Sequence, residues 1–168
     1  MNFKRIIQHS LATRGQVKRA FPAPTLQRIE QAIQHSELTH SGEIRFVVEA
    51  ALEGLPLFND QSARERAIDV FSTLRVWDTE HNNGLLIYVL LADRAVEIVA
   101  DRGIAACVGA PEWDSICHQM EAAFKQSNFE DGVVQGVQAV TQHLAAHFPD
   151  NAASEDHGNE LPNQSVLL

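Results

Sequence analysis

Oxygen-bearing side chains crowd into one stretch of this sequence, Asp78-Thr79-Glu80-His81-Asn82-Asn83. The most apolar run of the chain, Leu85 to Ala92, follows directly. Carboxylate and amide oxygens are the ligands that hard cations such as calcium and magnesium take. Two further acids stand at the ends of apolar runs: Glu43 opens one and Asp101 follows another. Asp78, Asp101, Asn83, Glu43 and Glu80 are therefore the candidate metal ligands. Other chemistries have less support. There is no GxSxG, no P-loop and no GxGxxG, so serine hydrolase and nucleotide-binding readings lack a motif. Cys117 and His118 are adjacent, and neighbours on a helix face different directions. His143 and His147 lie one helical turn apart with Ala145-Ala146 between them. No acid of the HExxH type sits in that gap, so an exposed helix end explains the pair better than a metal site. No residue is assigned a catalytic role.

The elements that must position these groups follow from periodicity. Leu85 to Leu91 is apolar at both side-chain parities, as in a central strand covered on both faces. Glu43 to Ala50 alternates, with Ile44, Phe46 and Val48 on one side and Arg45, Val47 and Glu49 on the other. Val96, Ile98 and Ala100 alternate with Glu97 and Val99, after a tight turn at Asp93-Arg94. Between the first two strands, Ser62-Ala63-Arg64-Glu65 is a capping box that opens a helix bearing Ala67, Val70, Phe71 and Leu74. A strand, a helix and a strand in this order imply parallel pairing of the two strands, and the tight turn makes the third antiparallel. That topology gathers the start of the first strand, the start of the second and the end of the third at one edge, with Glu43, Asp78, Glu80, Asn82, Asn83 and Asp101. Asp93 belongs at the opposite end. Amphipathic helices are predicted over residues 3–19, from Pro24 or Thr25 to near Leu38, from Pro111 through Phe124, and after an N-cap at Asn128 through Leu144. The fold class is α/β, a mixed central sheet sandwiched between helices.

A chain of 168 residues suits one domain with a sizeable core. Its net charge of −9 is uneven: residues 1–42 carry six Lys and Arg against two Glu, and the remainder is strongly acidic. An acidic body argues against nucleic-acid binding, which needs a basic face. The basic N-terminus is most simply a solvated helix face; contact with anionic lipid or an acidic partner is the sharper alternative. Cys107 and Cys117 form no framework and suit small core residues in a reducing compartment. No transmembrane segment and no signal-peptide core is seen, so the expected location is cytoplasmic. The expected organisation is an N-terminal helical extension over 1–40, a domain over 41–149, and a disordered acidic tail over 150–168.

Several motifs then converge. Trp77-Asp78, Asn82-Asn83-Gly84-Leu85-Leu86-Ile87, Leu91-Ala92-Asp93-Arg94, Ala100-Asp101-Arg102-Gly103-Ile104 and the stretch Phe124 to Gly132 resemble the TPM domain family. That family includes a thylakoid lumen protein of photosystem II repair. The resemblance runs from about Ser41 to Phe148 and is greatest for the small cytosolic bacterial branch, whose genes often neighbour those of LemA-family membrane proteins. It implies a central mixed sheet between helices, divalent-cation binding in some members, acid phosphatase activity in the plant member, and a membrane-associated protein partner. By position, Asp78 matches the aspartate before Asn-Asn-Gly, and Asp101 matches the polar position after the next strand. Exported members approach that aspartate through glycines, where this chain has Leu74-Arg75-Val76-Trp77.

Two functions stand against each other. One is a non-enzymatic accessory or interaction protein whose acidic edge holds calcium or magnesium. The other is a metal-assisted acid phosphatase at the same edge. Phosphoryl transfer needs groups that neutralise the transferring phosphoryl, and Arg102 is the edge's only clear cation, which favours the first.

Overall fold

The computed structural model describes residues 3–149 and 160–168. Three helices come first: α1 (Phe3–Leu11), α2 (Arg14–Ala20) and α3 (Ala23–Ser36). The single helix predicted over 3–19 is thus two. Thr13 is the break: it is the extended N-cap of the second helix, its N–H donating to Gln16 Oε1 at 3.3 Å and its carbonyl accepting from Gln16 N–H at 2.9 Å. Strand β1 (Glu43–Glu49) leads through the short α4 (Leu55–Phe58) and α5 (Ala63–Thr73) to β2 (Gly84–Leu90) and β3 (Ala95–Ala100). Helices α6 (Arg102–Ala105), α7 (Ala110–Lys125) and α8 (Phe129–His147) follow, and the two-residue strand β4 (Val166–Leu167) ends the chain. The Ser62–Glu65 capping box predicted for α5 is present, with Glu65 N–H donating to Ser62 Oγ at 3.1 Å.

The sheet has the order β3-β2-β1-β4. β1 runs parallel to β2 and β3 antiparallel to β2, as the connections require. Glu43 is level with Gly84, and Leu85 with Ala100, so three strand ends meet at one edge. Every residue of β1 and β2 is buried, because helices lie on both faces. One core packs Ile44, Phe46, Val48, Leu85, Ile87, Val89, Val96 and Ile98 against α3, α7 and α8. The other packs Val47, Leu86, Tyr88, Leu90 and Val99 against Ala67, Val70 and Phe71 of α5. Val17, Phe21, Ile29 and Ile33 belong to the first core, so the helices before residue 40 are built into the same packed unit as the sheet. Gly132 and Gly136 of α8 let α7 approach, the first against Ala123 and Phe124 and the second against Met120.

The C-terminal expectation needs correction. Residues 150–159 of the acidic tail lie outside the described residues, but 160–168 are docked on the domain. β4 pairs parallel with β1, Val47 level with Val166. Leu168 N–H donates to Val48 O at 3.0 Å, and Leu161 is buried. Three glutamates hold this segment. Glu43 accepts from the amides of Glu160 and Leu161, Glu37 from the Asn163 side chain, and Glu30 from the Ser165 amide. A tail rich in Asn and Ser has no apolar period to announce such docking, because the partners are backbone groups and an open sheet edge. Cys117 is buried as expected, and burial pushes its thiol up to about 12. Cys107, expected inside, is exposed.

Candidate functional site

The predicted edge exists, and the loop that leads into β2 is folded tightly upon it. Val76 N–H returns to Phe71 O and Asp78 N–H to Arg75 O, which closes the end of α5. Thr79 Oγ1 accepts from Asn83 N–H at 3.1 Å. Asn82 takes a left-handed φ of 52°, a conformation that asparagine tolerates better than most residues. Gly84 is required here: a Cβ would run into the carbonyl of Val76. On the far side Gly84 O accepts from Asp101 N–H at 2.9 Å, and Asn82 O from Gly103 N–H at 2.8 Å. A Cβ on Gly103 would stand 2.6 Å from both the His81 and Asn82 carbonyl oxygens, so the loop and the start of α6 are in close contact.

The five candidate ligands are placed differently within this frame. Asn83 is fully buried; its Nδ2 donates to Ser41 O at 2.9 Å, which fixes the amide orientation because a carbonyl can only accept. Its Oδ1 has no hydrogen-bond partner. Asp101 is also buried and caps α6, its Oδ1 accepting from Arg102 N–H at 2.7 Å. Its Oδ2 likewise has no partner. Asp78 and Glu80 are exposed on the loop. Glu80 meets the C-terminal segment through its backbone, its N–H donating to Glu160 Oε2 at 2.9 Å.

Glu43 departs from expectation. Both its oxygens face the C-terminal segment, Oε1 on Glu160 N–H at 3.1 Å and Oε2 on Leu161 N–H at 3.3 Å. Burial raises its pKa, and the two amides oppose that rise. Its neighbour Glu37 is pushed up to about 7, first by burial and then by the nearby Glu43 charge. The strand end thus presents an acidic pair turned toward residues 160–163. Among the described residues, no group of three or more His, Cys, Asp or Glu is arranged to hold a metal ion. Any cation site at this edge therefore needs amide or main-chain oxygens to complete what its carboxylates supply. Arg102, next to Asp101 in the sequence, donates its guanidinium to Asn82 Oδ1 at 2.9 Å.

Two partly buried polar networks draw on residues far apart in the sequence. Glu49 accepts from Tyr88 Oη at 2.6 Å and from both Arg66 Nε and Nη2 at 2.9 Å. Burial, then the bond to Glu49, drives the Tyr88 pKa far up, so the phenol remains a donor. At the opposite sheet end Asp93 holds α1. Arg5 donates to both its oxygens, and His9 Nε2 lies 2.8 Å from Oδ1. The His9 Nδ1 accepts from Leu52 N–H, so the ring proton sits on Nε2 and is given to Asp93. Opposite-charge partners 84 or more residues away leave no local sequence signal. His143, one of the helix histidines, lies edge-on to Trp113 with centroids 5.3 Å apart, which fits a packing role. A groove of about 980 Å³, lined by Leu11, Val89, Leu91, Phe124 and Phe129 among others, also lies at the Asp93 end, away from the acidic edge.

Comparisons with known proteins agree with this geometry. The profile of the TPM domain matches residues 18–143. The NMR structure of the BA42 protein from the psychrophilic bacterium Bizionia argentinensis is similar at 34% identity with a TM-score of 0.74, covering 88% of this chain and 95% of that one. The solution NMR structure of the N-terminal domain of a P. gingivalis protein shares the fold at 22% identity and a TM-score of 0.55, covering 70% of this chain and 72% of that one. A comparison with curated proteins finds no match.

Proposed function

This chain belongs to the TPM domain family, and on that premise we propose that it is a non-enzymatic accessory protein whose acidic sheet edge takes a calcium or magnesium ion. The observation that supports the reading is the pair of buried acceptors without donors, Asn83 Oδ1 and Asp101 Oδ2. They stand on two segments that are hydrogen-bonded to each other. A buried acceptor left unmade costs about 1–3 kcal/mol, and a hard cation is one way to relieve it. Asp101 and Asn83 would hold the ion, with Asp78 from the loop. The ion would supply positive charge to an edge otherwise poor in it. Glu43 is committed to the C-terminal segment and is not part of this set.

The phosphatase alternative uses the same edge and is weaker there. Arg102, the guanidinium next to Asp101, is engaged by Asn82, which leaves it less able to neutralise a transferring phosphoryl group. An accessory role requires a partner, and the family resemblance points to a membrane-associated protein.

Melting curves with and without millimolar calcium or magnesium test the site, because an ion that binds only the folded state raises the transition by mass action. The parent is expected to rise and the double variant Asp78→Asn, Asp101→Asn is not. Asparagine at 101 keeps an acceptor for the α6 cap, so the comparison isolates the charge. No rise in the parent, or an equal rise in the variant, removes the site. Ion-dependent hydrolysis of p-nitrophenyl phosphate that the same variant abolishes would replace the accessory reading with the phosphatase one.

A further inference from the structure

Helix α1 is mounted the wrong way round for a surface helix bathed only in water. It faces the domain with Ile6, which packs on the second core, and otherwise with polar groups: Arg5 and His9 on Asp93, and Gln8 on the Ala92 carbonyl. His9 is 2% exposed. Three of its four large apolar residues, at i, i+4 and i+8, point out instead, Phe3 at 71%, Ile7 at 48% and Leu11 at 68% exposure. A surface helix normally buries its apolar stripe and solvates its polar face. Here the polar anchor fixes α1 so that a stripe of three hydrophobic side chains stays outside.

Charge surrounds that stripe asymmetrically. No acidic residue occurs before Glu30, while Lys4, Arg5, Arg14, Lys18, Arg19 and Arg28 all do. Residues 30–168 carry seven Lys and Arg against all 22 Asp and Glu. Lys4, Arg14, Lys18 and Arg19 are exposed, and none of them makes an ion pair among the described residues. The first two helices are therefore cationic and apolar-tipped, on a chain whose remaining residues are strongly acidic.

We infer that α1 and α2 form a docking surface for an anionic lipid bilayer. Interfacial helices combine a short apolar stripe that enters the headgroup boundary with Lys and Arg that contact anionic lipid. Long basic side chains suit this boundary because their stems lie along apolar surface while the charge stays at the interface. The acidic body is repelled by the same surface, so the fold approaches with its N-terminal end and keeps the acidic sheet edge away from it. The inference stands on α1 and α2 alone and does not depend on cation binding at the other end of the sheet.

Co-sedimentation of the full chain with vesicles tests it. Vesicles of equimolar phosphatidylglycerol and phosphatidylcholine are expected to carry the protein down, and vesicles of phosphatidylcholine alone are not. Raising the ionic strength should release it. The variant Phe3→Ser, Ile7→Ser, Leu11→Ser should lose about tenfold or more in partitioning, since binding scales with buried apolar area. Its melting temperature should not fall, because these side chains are already exposed. The variant Lys18→Glu, Arg19→Glu tests the electrostatic half separately if the first is poorly behaved. Absence of parent binding to the anionic vesicles overturns the inference, as does full retention by both variants. A parent that ignores vesicles but sediments as a dimer, with the serine variant a monomer, would assign the stripe to self-association instead.

Discussion

Asp93 shows how one side chain organises its surroundings. It sits in a turn at the far end of the sheet and receives Arg5 and His9 from a helix that begins 90 residues earlier. Burial pushes its pKa up, but the bonds from Arg5 and His9 together outweigh burial and hold it below the usual carboxylate value. A depressed carboxylate contributes stability that is present above its unfolded value and lost as pH falls through the folded one. Asp93→Asn is therefore expected to destabilise the parent by about 2 kcal/mol near neutral pH, the scale of hydrogen bonds to a charged group. Urea unfolding at neutral pH and again in the acid range checks this, since the gap should close as the parent protonates. Asp93-Arg94 was legible as a turn from its position between two apolar runs. Its partners were not, because nothing in a sequence ties residue 5 or 9 to residue 93.

At the scale of elements, the C-terminal segment decides most. β4 covers the open edge of β1, and Leu161 is buried against the second core. Removal of residues 160–168 is expected to cost about 2 kcal/mol or more, since burying one leucine alone is worth about 1.5–3 kcal/mol. Calorimetry should show a lower melting temperature for the chain ending at 159, and hydrogen exchange should show β1 amides losing protection. The glutamates that grip this segment add a pH dependence of the opposite sign to Asp93. Glu37 is raised to about 7, by burial first and the Glu43 charge second. A raised carboxylate stabilises the fold while protonated, so its contribution is complete below the unfolded carboxylate range and is lost as pH rises through about 7. Glu37→Gln, which keeps the acceptor for Asn163 without the charge, should flatten the fall in melting temperature between pH 5 and 8. A parent with no such fall would show that Glu37 titrates normally.

The whole molecule is a sheet with a core on each face, and β2 is shared by both. Leu85, Ile87 and Val89 enter one core while Leu86, Tyr88 and Leu90 enter the other. A charge at Leu86, which has no exposed surface, would have neither water nor a partner. Leu86→Asp is expected to unfold the domain, at a cost on the order of several kcal/mol. Far-ultraviolet circular dichroism decides it; a folded variant with an unchanged melting temperature would contradict the double-sided core. The basic helices α1 and α2 lie at the Asp93 end, where Glu121, Glu130 and Asp131 line the groove beside them, and the loop with Asp78 and Asn83 lies at the other end.

Local pattern determined the three main strands, the parallel and antiparallel pairing, and the α5 capping box, because each rests on short-range spacing and on connection length. The gathering of Glu43, Asn83 and Asp101 at one edge followed from that topology. What those side chains then do was decided only by the tertiary structure. A glutamate at a strand end, as Glu43 is, suits a cation ligand by sequence, yet Glu43 holds a segment 117 residues away. Asn83 and Asp101 are candidates by residue type, but their unpartnered oxygens appear only once Ser41, Gly103 and the loop have closed around them. The amphipathic period of α1 was visible, and the face it would bury was not. Periodicity fixes that a helix has two faces; which one turns inward depends on where Asp93 and the Leu52 amide wait for it.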